Sequence, residues 1–244
     1  MITVLKTASI LLSYPTLEIH AALPELVEIL EGGNQNKKRE VKLLVDLARN
    51  IAEGDLYDIQ ERYVFLFDRT RALSLHLFEH VHGESRDRGQ AMVDLMAVYE
   101  ENGLSIDEKE LPDFLPLFLE YLATRNESEA QEMLTQTLHI ISAIGERLKK
   151  RKSIYASVFR ALELFVKSKP DQALVDTILA RPEDDPDDLE ALDAIWEEEV
   201  VKFGGNSGEG DCGPDRLQRQ MRASQRKANH EVSPAATSAS GEAR

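Results

Sequence analysis

The residues best equipped for chemistry are gathered between Leu66 and Met92, LFDRTRALSLHLFEHVHGESRDRGQAM. There Arg69, Arg71, His76, Glu79, His80, His82, Glu84, Arg86, Asp87 and Arg88 interleave with Leu73, Leu75, Leu77, Phe78 and Val81. Imidazoles and carboxylates in one segment can hold a divalent metal or move protons near neutral pH. Read as a helix from Ala72 to Val81, the segment puts His76 and His80 on one face, as two metal ligands require, and turns His82 elsewhere. The order is E-H-V-H rather than H-E-x-x-H, so the zinc-protease spacing is missing, and no cysteine lies nearby to complete a site. Helix-end histidines bonded to backbone or to a partner fit the pattern better than a metal-dependent enzyme built on His76, His80 and Glu84. Glu79, Glu84 and Asp87 have the chemistry of general acids and bases, yet Arg86 and Arg88 beside them offer ordinary ion pairs. The mixture exceeds what packing needs, and it points to recognition.

Other chemical candidates are weaker. Cys212 is the only cysteine, so one chain can build neither a disulfide framework nor a multi-cysteine metal site. There is no G-x-S-x-G elbow, and Cys212 has no fixed base near it in sequence. GGNSGEG at 204–210 follows no strand and precedes no P-loop lysine, so it reads as a linker. The acidic run EDDPDD, Glu183 to Asp188, lacks the glycine and terminal glutamate of a calcium loop. It can charge the start of the following helix or attract a cationic peptide. Arg216, Arg219, Arg222, Arg226 and Lys227 form a basic run without interleaved aromatics, which suits a solvated tail better than a nucleic-acid contact.

The elements that must position the central stretch all read as helices. Ile2 to Ser13 is a first helix, stopped before Pro15. Pro24 fits the first turn of a second, with Leu26, Val27, Ile29 and Leu30 apolar and Gly32-Gly33 at its end. A polar connector, Asn34 to Arg39, leads to a third, in which Val41, Leu44, Val45, Ala48, Ile51 and Ala52 form a stripe closed by Gly54. Asp55 caps the next, running to Phe67. After the central helix and Gly83, Ser85 or Asp87 caps a helix with Met92, Leu95, Met96 and Tyr99 on one face, ended by Gly103. In ELPDFLPLFLEYL, Pro112 marks a turn, Asp113 is a candidate cap, and Pro116 falls in a first turn. Glu127 to Arg151 is a long helix with Leu134, Leu138, Ile141 and Leu148 inward, followed by one carrying Tyr155, Val158, Phe159, Leu162 and Phe165. A short helix spans Asp171 to Ala180, and a last one carries Leu189, Leu192, Ile195, Trp196, Val200 and Phe203. No alternating strand or Asn-Gly hairpin stands out, so the fold class is all-α.

The 244 residues are 42% hydrophobic, enough for one packed helical domain, here 1–203. From Gly204 to Arg244 large apolar side chains become scarce, and a disordered tail is expected. That tail holds six basic against five acidic residues, a charge of +1, so the helical body carries −16 of the chain's net −15. With a pI near 4.9 the chain favours neutral or cationic partners and disfavours nucleic acid. The N-terminal apolar run is too short to span a bilayer and has no small-residue cleavage site, so we read no export signal, no direct membrane insertion and a reducing cytoplasm.

Four stretches carry a resemblance: Y-V-F-L-F-D-R at Tyr63 to Arg69, L-F-E-H-V-H-G-E-S-R-D-R-G-Q-A-M at Leu77 to Met92, E-L-P-D-F-L-P-L-F-L-E-Y-L at Glu110 to Leu122, and W-E-E-E at Trp196 to Glu199 with Val201-Lys202-Phe203. In these the sequence closely resembles the NarJ or delta-subunit family of respiratory nitrate reductase assembly chaperones, within the TorD-like redox-enzyme chaperones. One departure stands out: the wider family usually has histidine after P-D, where this chain has Phe114, so no role needing that imidazole carries over. The resemblance implies an all-helical, TorD-like single-domain bundle and a helper that is not an enzyme and holds no cofactor. It implies binding to the apo catalytic (alpha) subunit of nitrate reductase, including its N-terminal segment, so that the molybdenum cofactor can be inserted. It further implies absence from the finished enzyme and contacts with molybdenum cofactor delivery proteins. A generic leader-peptide chaperone for another molybdoenzyme would fold identically. By resemblance the partner-binding residues are His76, Phe78, Glu79, His80, His82, Glu84, Arg86, Asp87 and Arg88, with Glu110, Pro112, Asp113 and Tyr121. An acidic body can also present an apolar groove with an anionic rim to a basic amphipathic helix.

Overall fold

The stripe of apolar residues in the longest helix sets the architecture. The computed structural model describes residues 2–33, 38–82, 86–106, 110–166 and 168–182, with the backbone alone at 86, all within the unit Met1–Asp193. Helix α8, Glu127–Lys150, buries Ala130, Leu134, Leu138, Ile141, Ile144 and Leu148. Asn126 caps it by accepting from the Glu129 N–H, while Glu127 and Glu129 at its start and Arg147, Lys149 and Lys150 at its end complement the helix dipole. Helix α9, Ala156–Val166, lies along it. The approach is close because residue 145 has no side chain: a Cβ on Gly145 would stand 3.1 Å from the Cβ of Phe159.

On this pair the other helices are laid. Helix α3, Arg39–Glu53, packs on α9, and α2, Leu17–Gly32, packs on α3. Helix α1, Ile2–Leu12, packs on α7, Leu115–Ala123, where the Ser9 hydroxyl donates to the Pro116 carbonyl at 2.8 Å. Helix α4, Leu56–Phe67, is capped by Asp55 as expected. It brings Tyr63 and Phe67 into an aromatic cluster with Tyr155, and the Tyr63 hydroxyl donates to the Leu12 carbonyl at 2.8 Å. Helix α10, Gln172–Leu179, is capped by Asp171 and packs on α8. Among the described residues the fold is all-α, with no strand and no helix long and apolar enough to cross a membrane.

Four expectations need correction. The second helix starts at Leu17, where Thr16 caps it by accepting from the Ile19 N–H, so Pro24 lies inside the helix rather than in its first turn. Proline deletes one N–H donor there, while the cap and the burial of Leu23, Val27 and Leu30 carry the helix through. The helix expected from Ala72 to Val81 does not form. A 3-10 turn, Arg71–Leu73, gives way to extended chain, an isolated antiparallel bridge between His76 and Phe114, and the short helix α5, Glu79–His82. Finally, Asp87 is the second residue of helix α6, Arg86–Glu101, rather than its cap, and Asp113 does not cap α7, whose cap position is Phe114. Gly103 ends α6 as expected, with a φ of +78°. The connector at 34–37, Gly83, Ser85, the acidic run from Glu183, the last helix to Phe203 and the tail from Gly204 lie outside the described residues.

Candidate partner-binding site

The segment after the 3-10 turn is anchored by leucines. Leu73, Leu75 and Leu77 are buried together with Ser74, while His76, Phe78 and Glu79 are partly open. The Leu77 N–H donates to the Asp113 carbonyl at 3.0 Å and the Leu115 N–H donates to the Leu75 carbonyl at 2.8 Å, which locks this segment to the E-L-P-D-F turn. Asp113 is wholly buried, and both its oxygens are used. Oδ2 accepts the Phe78 N–H at 3.1 Å, and Oδ1 accepts from His76 Nδ1 at 3.2 Å. Asp113 therefore caps the entry to α5 instead of its own helix, satisfying a backbone donor that the turn leaves orphaned. The same turn is held from behind by Tyr99 of α6, whose hydroxyl donates to the Pro112 carbonyl at 2.8 Å and whose ring leans on Tyr121.

The two histidines that share one helical face on paper part company here. His76 is half-buried beside the ring of Phe114, and its hydrogen bond to Asp113 raises its pKa above the ordinary histidine value against the opposing effect of burial. His80 points inward and is 4% exposed. Its Nε2–H donates to the Ser74 carbonyl at 2.8 Å, and burial pushes its pKa down, so it sits neutral. They cannot act as a paired metal face. Among the described residues no group of three His, Cys, Asp or Glu side chains is placed to hold a metal ion, and Glu84 lies outside those residues.

What remains on the surface is a compact amphoteric patch. Arg88 donates to Glu79 at 3.1 Å, tying α6 to α5, and both side chains are less than a quarter exposed. Phe78 is half-buried with its ring edge-on to His82, and Val81 is 45% exposed beside them. Asp87 and Glu110 are exposed. Pro112, Asp113, His80 and Tyr121 are buried, so they shape this patch from beneath and offer a partner no surface of their own. The side chain of Arg86 lies outside the described residues. A patch that gathers the Glu79 carboxylate, the cationic or cation-prone Arg88, His76 and His82, and aromatic edges can bind a mixed polar and apolar surface; it assembles no nucleophile with a base.

Two arginines escaped the sequence reading. Arg147 of α8 is 2% exposed and its guanidinium binds backbone carbonyls, while Arg181, after α10, reaches the Glu79 carbonyl at 3.5 Å. The signal for Arg147 was present in the sequence. It stands three residues after Ile144 and seven after Ile140, on the stripe that α8 buries.

The helical arrangement has a counterpart among solved structures. A crystal structure named as a redox enzyme maturation protein from Archaeoglobus fulgidus superimposes with a TM-score of 0.52 at 21% identity, over 69% of this chain and 94% of that one. The sequence profile described as nitrate reductase delta subunit matches residues 20–161, and the chain belongs to that family. It is 44% identical over 217 residues to the nitrate reductase molybdenum cofactor assembly chaperone NarJ of Escherichia coli (strain K12), spanning 89% of this chain and 92% of that protein. It is also 40% identical over 200 residues to NarW of the same strain, described in the same terms, over 82% and 83% of the two chains.

Proposed function

We propose that this protein is a cytoplasmic assembly chaperone for a membrane-bound respiratory nitrate reductase, acting by binding and not by chemistry. It would bind the apo catalytic subunit, including its N-terminal segment, keep it competent for molybdenum cofactor insertion in concert with cofactor delivery proteins, and leave before the enzyme is complete. The observation that carries this reading is the 44% identity with the NarJ chaperone along 92% of that protein's length. The likeness is of whole chains, so it includes the segment that the E-H-V-H and E-L-P-D stretches build.

The geometry supports recognition at the patch around His76, Phe78, Glu79, His82 and Arg88. All five are partly open or exposed, four are polar, and His76, Glu79 and Arg88 are held by bonds that core packing does not need. The net charge of −15 favours a basic client segment and speeds its encounter. A calorimetric titration tests the reading directly, using the full chain and a synthetic peptide from the N-terminus of the nitrate reductase catalytic subunit of the same organism. Saturable binding that weakens when the basic residues of the peptide are replaced is the expected result. Absence of binding across pH and salt would overturn recognition of that segment and would move the client contact to folded parts of the subunit.

A further inference from the structure

We propose that Arg147 is a positioning residue that couples the exit of α10 to the segment carrying the candidate site. This inference rests on the client-binding reading above for its functional consequence, and on hydrogen-bond geometry alone for the coupling.

A guanidinium buried to 2% exposure is expensive unless its donors are satisfied. The two Nη atoms of Arg147 meet that demand with backbone oxygens from two distant places in the chain. Nη1 donates to the Ala72 carbonyl at 2.8 Å, in the 3-10 turn from which the site segment departs. Nη2 donates to the Ile178 carbonyl at 2.8 Å and to the Arg181 carbonyl at 3.3 Å. Ile178 is in the last turn of α10 and Arg181 lies just beyond it, so these oxygens belong to the negative end of the helix dipole, where a cation is favoured. One rigid planar fork on α8 thus fixes the start of the site segment and the end of α10 at once. Lysine could not reproduce this, because an ammonium on a flexible stem has no fork to span both.

A second tie runs the other way. The side chain of Arg181, exposed and just past α10, donates back to the Glu79 carbonyl of α5 at 3.5 Å. Between the two ties lies His80, whose imidazole is held neutral by burial and by the proximity of both arginines, and which itself donates to the Ser74 carbonyl. Residues 72–82 and 178–181 are therefore laced together through backbone carbonyls rather than through interchangeable apolar contacts. Displacing the chain after α10 must shift the segment that carries His76, Phe78, Glu79 and His82, and ordering that segment must hold the end of α10.

Hydrogen exchange read by mass spectrometry on the full chain tests the coupling without a client. In Arg147→Met, which keeps bulk and removes the donors, exchange at 74–82 and at 174–182 is expected to quicken together by at least about tenfold, while α1 and α3 keep their protection. Arg147→Lys should behave like the methionine variant. Arg181→Gln, a surface change that spares the fold, should loosen 78–82 alone by a smaller factor. Loosening of 174–182 with 74–82 untouched, or a rise spread evenly over all helices, would overturn the coupling. The functional half is read by titrating the catalytic-subunit N-terminal peptide into each variant. At least tenfold weaker binding to Arg147→Met, with native helicity retained, is expected, and unchanged affinity would overturn it. Should the wild-type chain itself ignore the peptide, the reading of the client fails, and the coupling is decided by exchange alone.

Discussion

Helices α3, α8 and α9 and the stretch from the 3-10 turn to the start of α7 are held in opposite ways. In the first, Leu44, Leu47, Ala48, Ile141, Ile144, Val158, Phe159 and Leu162 are almost wholly buried, and the buried polar side chains are few, Ser142 and Arg147 of α8. In the second, the positions of α5 and α6 depend on single polar bonds: Asp113 to the Phe78 N–H and His76, Tyr99 to Pro112, His80 to Ser74, Glu79 to Arg88. Among the described side chains of α6, Tyr99 alone is fully buried, whereas Val93 is 61% exposed and Met96 39%. Apolar burial is non-directional and resists local opening; a few directional bonds define one geometry yet let a segment open without unfolding the rest. A chaperone surface that must seize and release a client belongs on the second kind of structure.

The contrast can be broken most forcefully in the core. Phe159→Ala should remove about 3–5 kcal/mol of stability, because the ring fills the space against α8 that Gly145 leaves open. Urea unfolding followed by circular dichroism should show one cooperative transition moved to lower denaturant. A loss confined to α5 and α6 would mean the two regions are not held as described. Asp113→Ala should do the reverse. It strands the buried Phe78 N–H and frees His76, a change worth about 1–3 kcal/mol. Hydrogen exchange should rise at residues 77–82 while α8 and α9 stay protected. If the whole chain unfolds earlier instead, the site segment is part of the core.

The sequence made the first region legible and hid the second, for a physical reason. Period-3.6 stripes announce helices that pack by apolar burial, so α1, α3, α4, α8, α9 and α10 and the cap Asp55 were readable within a residue or two. The stretch A-L-S-L-H-L was misread because its leucines satisfy a loose helical count, although Leu73, Leu75 and Leu77 already alternate with period two. What decided the matter was a partner 37 residues away: the carboxylate of Asp113 and the backbone beside it. No local pattern contains that bond. The same holds for Arg147, whose place on the buried stripe was visible but whose carbonyl partners were not.

His76 and His80 sharpen the comparison by titrating in opposite directions. The folded pKa of His76 lies above its ordinary 6.5, first because of the Asp113 hydrogen bond, with Asp113 and Glu79 adding attraction and Arg88 opposing. Its contribution to stability is therefore complete below about pH 6.5 and is lost as pH rises through the folded value. The folded pKa of His80 lies below 6.5 because of burial, aided by Arg147 and Arg181 and opposed by the Ser74 carbonyl and Glu79. Its contribution is present above about pH 6.5 and is lost as pH falls through the folded value. Melting temperatures between pH 5 and pH 8 should thus fall toward both ends. His76→Gln should flatten the alkaline side and His80→Gln the acid side, each by less than the Asp113 truncation changes stability. An alkaline slope unchanged in His76→Gln would show that the Asp113 bond holds His76 without favouring its cation.

The smallest expected change in stability is the one most telling about function. Arg88→Ala removes the 3.1 Å pair with Glu79, between side chains 21% and 24% exposed. Such a pair, still wetted by solvent, contributes at most about 1 kcal/mol. The melting temperature should therefore scarcely move. Binding of the catalytic-subunit peptide is a separate matter: Arg88 fixes where the Glu79 carboxylate points, so its loss should weaken or redirect recognition of a basic segment while leaving the fold intact. A variant that melts like the wild type and binds the peptide several-fold less well assigns the pair to recognition. One that melts and binds like the wild type makes it a solvated ion pair and moves the anionic contact toward Asp87, the exposed carboxylate next to Arg88 on α6.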